Sequence, residues 1–218
     1  MRTAPVCIVI GVGPGLGLAL CRAYAAVGYA VGMVARRAEA LAGYAASLPA
    51  SAKIAQAAAD VADVPALLGA LQSLQRELGP VQTLVYNAAN LQPGLALETT
   101  PERFAADFQI NCVGFLAAAQ AAVAPMRQQG GGFIFYTSGA FAVNPSPKFS
   151  SLAASKAAGR NLCVSLDKEL RTSQIRVASV TVGGFIAPDT PHDPDRIAAA
   201  YLKAAGNPAE WQPEISSY

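Results

Sequence analysis

The sequence predicts an α/β fold, a doubly wound parallel sheet of six to seven strands flanked by helices, and three observations predict it. Short apolar runs rich in β-branched residues alternate with longer stretches of helical period. Those runs are apolar at every position, as strands covered on both faces are. The composition, 53% hydrophobic and 14% charged over 218 residues, suits a single heavily buried globular domain.

Val6-Cys7-Ile8-Val9-Ile10 is the first predicted strand, and a helix follows over 16–27. Ala30-Val31-Gly32-Met33-Val34 is the second strand, with a helix over 39–48. A third strand is placed at 53–58. The helix after it, 64–78, sets Leu67, Leu68, Leu71, Leu74 and Leu78 on one apolar face. The fourth strand is 83–86, a long helix runs over 104–128, and 132–136 is the fifth strand. After a Pro-rich loop at 144–147 come a helix over 151–171 and a sixth strand at 176–180. Right-handed crossovers make the doubly wound sheet the commonest solution for such a chain. From Pro188 onward, Pro191, Pro194, Pro208 and Pro213 predict a short irregular C-terminal segment or lid over 188–218, carrying one helix over 193–204. Neither a repeat nor a linker divides the chain, so 1–218 is read as a single domain.

The formal net charge of +2 comes without any block of like charges, so no basic stripe tracks a phosphate backbone and nucleic acid is not an expected partner. Cys7, Cys21, Cys112 and Cys163 are widely spaced, and His192 is the only histidine. No metal is expected from that set, and the cysteines read as reduced, buried and structural in a cytoplasmic protein. Arg2 followed by the apolar run 6–20 superficially resembles a signal peptide, but Gly11, Gly13, Pro14, Gly15 and Gly17 break it. The Ala-rich segment 112–126, interrupted by Gly114 and Gln120, is too short to span a bilayer. No membrane partner is expected.

Strand one runs directly into Gly11-Val12-Gly13-Pro14-Gly15-Leu16-Gly17. Glycines there let the backbone turn sharply and approach a pyrophosphate, which the N–H groups and positive end of the following helix stabilise. This is a Rossmann-type dinucleotide site; the plainer alternative is a structural tight turn. At the end of strand two a carboxylate selects NAD and an arginine suits the 2′-phosphate of NADP. The chain has Ala35-Arg36-Arg37 and no acid, so NADP(H) is expected in preference to NAD, unless the arginines merely solvate the next helix.

The spacing Gly11-x-x-x-Gly15-x-Gly17 resembles that of the short-chain dehydrogenase/reductase family, and further landmarks follow in order along essentially the whole chain. Asp60-Val61 is similar to the family's adenine-contacting pair. Tyr86-Asn87-Ala88-Ala89 resembles its Asn-Asn-Ala-Gly turn. Asn111 matches its helix-borne catalytic asparagine, and Ala154-Ser155-Lys156-Ala157-Ala158 the stretch around its catalytic lysine. Val182-Gly183-Gly184 sits at its Pro-Gly turn facing the nicotinamide, with Ile186 in the place that contacts the carboxamide. The resemblance implies that Gly11, Gly13, Gly15, Leu16, Gly17, Arg36, Arg37, Asp60, Val61, Asn87, Ala88, Lys156, Gly183 and Ile186 hold the cofactor. It also implies a homodimer or homotetramer paired through Ala-rich helix faces, Ala117, Ala118, Ala121 and Ala122 on one helix and Ala153, Ala154, Ala157 and Ala158 on another.

The resemblance breaks at the proton donor. In the family a tyrosine one helical turn before the lysine protonates the carbonyl oxygen as hydride arrives; here that position is Leu152. A serine upstream polarises the same oxygen, and counting back lands on Gly139, with Ser138 the nearest hydroxyl. A positioned acid contributes about 10² to 10⁴ in rate. Candidates to fill in are Tyr136, Ser138, Ser151 and Lys156. Each has a bland reading: packing, a strand end, a helix start or a ligand-binding lysine. His192 reads as exposed loop. Asn111, Lys156 and Ser138 are the catalytic candidates. Two functions stand: an oxidoreductase moving hydride to or from a small apolar carbonyl, alcohol or alkene, or a cofactor-binding sensor or scaffold with impaired chemistry. Relatives typically carry a seventh strand and a longer lid beyond the point where Trp211 to Tyr218 end this chain.

Overall fold

β1 (Val6–Ile10) is buried along its whole length, as an apolar run without polar alternation requires. In the computed structural model, which describes residues 4–217, it lies inside a seven-stranded sheet. β2 (Ala30–Ala35) and β3 (Ile54–Ala58) extend to one side. β4 (Val81–Tyr86), β5 (Gly132–Gly139), β6 (Ile175–Val182) and β7 (Glu214–Ser217) extend to the other. The order is β3-β2-β1-β4-β5-β6-β7, with every pair parallel. The order in which strands are added reverses between β1 and β4, so the loops leaving these two parallel strands part to opposite faces and open a crevice at the C-terminal edge. Arg2 and Tyr218 lie outside the described residues.

α1 (Leu16–Ala26), α2 (Ala38–Ala46) and α7 (Pro194–Gly206) cover one face. Their Leu16, Leu20, Leu41, Ile197 and Tyr201 pack on Val9, Met33, Val85 and Phe135. α3 (Val64–Leu78), α5 (Gly114–Gln128) and α6 (Ser150–Leu170) cover the other. There Leu67, Leu74, Phe115, Ala122, Leu166 and Leu170 meet Ile8, Ile10, Leu84 and Ile134. Where a helix starts, the local sequence shows why. Asp63, Thr100 and Asp193 each accept a backbone N–H of the first turn, and a Pro stands at the first or second helical position, opening α3, α4 (Pro101–Phe108) and α7. α1 begins differently, at Gly15, with no side chain on its first N–H groups.

Two expectations are corrected. The single helix over 104–128 is two, α4 and α5, joined by one wide turn, Gln109–Val113, of π type. Hydrophobic periodicity does not show an extra residue that keeps the helix axis continuous. The unbroken stretch Pro101–Gln128, longer than the segment weighed above, is apolar and long enough to cross a membrane by length and composition. Phe115, Ala118, Ala119, Ala122 and Met126 of that stretch are buried in the core.

The second correction concerns 188–218: the helix expected over 193–204 is α7, but the residues after it are not all irregular. α7 packs beside α1 into the core, and β7 adds a strand to β6. Trp211 packs on Phe133 and Phe135 and donates its indole N–H to the fully buried Asp167 at 3.1 Å. The same carboxylate accepts from the Val177 N–H and the Arg171 guanidinium, so one buried charge ties the tail, α6 and β6 together. All four cysteines are free; Cys7, Cys21 and Cys163 are buried as expected, while Cys112 is only half-buried.

Candidate functional site

The crevice between the β1 and β4 loops is built from backbone first. Asn87 donates its side-chain amide to the Gly11 carbonyl at 2.9 Å and its backbone N–H to the Ile10 carbonyl, joining the two loops. Gly11 has φ +90°, and a Cβ there would collide with the backbone of Ala88. Gly17 lies so close under the loop that a Cβ would come within 2.6 Å of the Gly11 carbonyl oxygen. Gly13 and Gly15 are the opposite case: nothing stands within 4 Å of where their Cβ would be. The result is a cleft of about 350 Å³ whose floor is main chain.

That cleft brings together Gly11, Gly13, Arg36, Arg37, Asp60, Val61, Asn87 and Ala88. Both arginines are exposed at its rim, at the start of α2. Asp60 is held by accepting the Ala62 N–H at 2.9 Å. Leu16 and Gly17 face inward instead, Leu16 into the core under the loop. Tyr44, Ala40 and Asn90 also line the cleft. Asn90 donates to Asp107 at 2.7 Å, and the second oxygen of that buried carboxylate has no partner. Nothing in the local sequence distinguishes these three from ordinary surface positions.

Asn111, Ser138, Lys156, Gly183 and Ile186 lie outside this cleft, further along the same sheet edge. The π turn carries Asn111 into the interior, where its amide donates to Ser155 at 3.0 Å and its side-chain oxygen is left unpartnered. Tyr86, standing in place of the first Asn of the turn motif, fixes that wide turn by donating its hydroxyl to the Ile110 carbonyl. Gly114 lets α5 come close enough for this, because a Cβ would reach within 2.8 Å of the Val61 carbonyl oxygen.

Lys156 is not a solvated helix lysine. Its ammonium donates to the Thr137 carbonyl at 2.8 Å, lies 4.6 Å over the Tyr136 ring, and is buried without a carboxylate. Burial lowers its pKa to about 7. The other hydroxyls sort themselves by place. Tyr136 packs beneath α6, its hydroxyl within 2.5 Å of where a Gly159 Cβ would stand, so it faces the core and burial raises its pKa well above the ordinary value. Ser138 and Ser151 are buried with no hydrogen-bond partner. Ser151 does not cap α6, whose first turn has no side-chain cap.

Gly183 is held by donating its N–H to the Ser217 carbonyl at the end of β7, while Ile186 is exposed. His192 is corrected: it is half-buried and lies against Gly184. Leu91, Leu95, Val143, Phe185 and Ile186, all on loops at this edge, expose apolar side chains, and Phe185 meets Phe141 edge-on at 6.4 Å. Among the described residues no group of His, Cys, Asp and Glu is placed to hold a metal ion.

Residues 5–194 match the model of the short chain dehydrogenase family. The chain is 30% identical over 179 residues to 2,3-dihydro-2,3-dihydroxybenzoate dehydrogenase of Bacillus subtilis, covering 82% of this chain and 69% of that one. It is also 30% identical over 181 residues to 3alpha-hydroxysteroid dehydrogenase of Mediterraneibacter gnavus, covering 82% and 72%. L-sorbose reductase from Gluconobacter frateurii, solved with NADPH and L-sorbose, superposes with a TM-score of 0.82 at 26% identity, over 96% of this chain and 78% of that one.

Proposed function

The chain belongs to the short-chain dehydrogenase family of oxidoreductases, and from that premise we propose that it binds NADP(H) and exchanges hydride with a small apolar carbonyl, alcohol or alkene. The observation that carries the reading is the open N-terminus of α1. Gly13 and Gly15 leave free space above backbone N–H groups that no side chain caps, which is room for a diphosphate. Arg36 and Arg37 at the rim suit a 2′-phosphate, and the end of β2 carries Ala35-Arg36-Arg37 in place of an acid that would select NAD. Asp60 and Val61 would hold the adenine end and Lys156 the nicotinamide ribose. Gly183 and Ile186 would hold the carboxamide. When bound, NADPH supplies the hydride.

The chain's own residues supply position and protons. Asn111 and the π turn hold Ser155 and α6, and α6 in turn holds Lys156 at the end of β5. Ser138 offers a free hydroxyl for a substrate oxygen. Leu152 stands where the family's tyrosine donates a proton, so the donor is a non-standard one. The exposed apolar side chains around this edge favour an apolar substrate. As in the family, a cytoplasmic homodimer or homotetramer is the proposed assembly.

Leu152 also favours a second reading, a cofactor-binding sensor or scaffold without turnover. One experiment separates them: NADPH binding by fluorescence, followed by NADPH oxidation against a panel of aldehydes, ketones and enones, with heat-denatured protein as control. Tight binding with steady oxidation of a panel member is expected. Tight binding with complete silence selects the second reading, and no binding overturns both.

A further inference from the structure

The chain's single imidazole is held at the edge where the reaction is placed. Ser138 and Gly139 of β5 pair with Thr181 and Val182 of β6, and Gly183-Gly184 continue from there. His192 lies on Gly184, where a Cβ would approach its Nε2 to 2.5 Å, so with any larger residue there the ring would have to shift.

The loop fixes the residue by main chain. The His192 N–H donates to the Thr190 hydroxyl at 3.1 Å, its carbonyl accepts from Ala187, and Thr190 donates to the Ala187 carbonyl at 2.8 Å. Asp193 caps α7, and α7 is anchored in the core through Ile197, Ala198 and Tyr201. Nδ1 of the ring is buried with no partner, an uncompensated polar atom of the kind that marks functional sites. The charged groups around it are otherwise engaged. Asp193 accepts from the Asp189, Asp195 and Arg196 N–H groups, and Asp195 pairs with Arg22 of α1. The Gly183-Gly184-Phe185-Ile186 turn has no ionisable side chain, and across it α6 presents Lys156, bonded to Thr137.

We propose that His192 is the proton-transferring residue of this enzyme, presented by the loop after β6 to the substrate oxygen in place of the hydroxyl that Leu152 lacks. This rests on the oxidoreductase reading above. In reduction, hydride passes from NADPH to the carbonyl carbon, the C=O π pair moves to oxygen, and the imidazolium proton passes to that oxygen. The neutral imidazole then recovers its proton from water. Reduction by this route therefore needs the protonated ring and falls in alkaline solution.

The test uses the intact chain, where one histidine gives one set of imidazole NMR signals. Saturation with NADP⁺, with binding followed separately by fluorescence, is expected to move the His192 signals, because the oxidised nicotinamide is a cation. His192→Gln is expected to lower the turnover of any reduced panel member about 100-fold. It should also abolish the alkaline fall in rate, with NADPH affinity changed less than about three-fold. Cofactor binding with unmoved imidazole signals overturns this proposal alone, as does a His192→Gln variant that keeps the wild-type pH profile. No cofactor binding overturns the functional reading beneath it.

Discussion

The two halves of the sheet edge are built from different materials. Around the β1–β4 crevice the contacts are main chain: Gly11 against Ala88, Asn87 on the Gly11 carbonyl, open N–H groups at α1. At the ends of β5 and β6 the actors are side chains, and Asn111, Ser138, Ser151 and His192 each keep a buried polar atom unpartnered. A cradle made of backbone tolerates many sequences that preserve its glycines. On the proposed reading, a reaction end made of side chains could be rewired by one substitution, at Leu152. Binding and chemistry would then be separable.

That separation can be broken first at the reaction end. Gly139 faces open space and Leu152 is buried on α6. Gly139→Ser combined with Leu152→Tyr is expected to raise NADPH-dependent carbonyl reduction about 100-fold, with NADPH affinity unchanged. No gain in a folded, cofactor-binding variant would show that more than these two groups differ. Asp167→Asn should cost about 2–3 kcal/mol, because three donors lose a buried charge, and lower Tm by about 5–10 °C. NADPH affinity at low temperature should stay, since the clasp belongs to the other half.

At the crevice, replacing Arg36 and Arg37 by alanine should weaken NADPH about 30-fold, the scale of two charge-assisted contacts, and NADH hardly at all. Equal losses in paired titrations would refute the NADP assignment. The last prediction concerns pH. Folded Lys156 releases its proton at about 7, the unfolded side chain near 10.4, so between those values the unfolded chain binds the extra proton. Stability rises with pH there, by up to about 1.4 kcal/mol per pH unit, and that slope should vanish in Lys156→Met. Urea unfolding at several pH values reads it directly.

The crevice was legible in the sequence because glycine spacing reports backbone geometry directly. Strand cores were legible for a similar reason, since β1 is apolar throughout. Strand ends were less so: β5 and β6 run on through Thr137, Ser138 and Thr181, polar residues that look like loop yet pair in register. β7 escaped notice because Glu214-Ile215-Ser216-Ser217 offers four residues with one apolar anchor. His192 was misread for a tertiary reason, as the glycine that admits its ring lies eight residues earlier on another segment.

The wide turn at Gln109–Val113 also sets an angle. Each residue advances an α-helix by about 100°, so one surplus residue puts the two halves of 101–128 out of phase by that amount. Deleting Cys112 would restore a regular helix only by swinging Asp107 and Asn111 together away from Asn90 and Ser155, or by turning α5 away from the core. A single residue of chain length thus acts as the setting screw between the crevice wall and the reaction end.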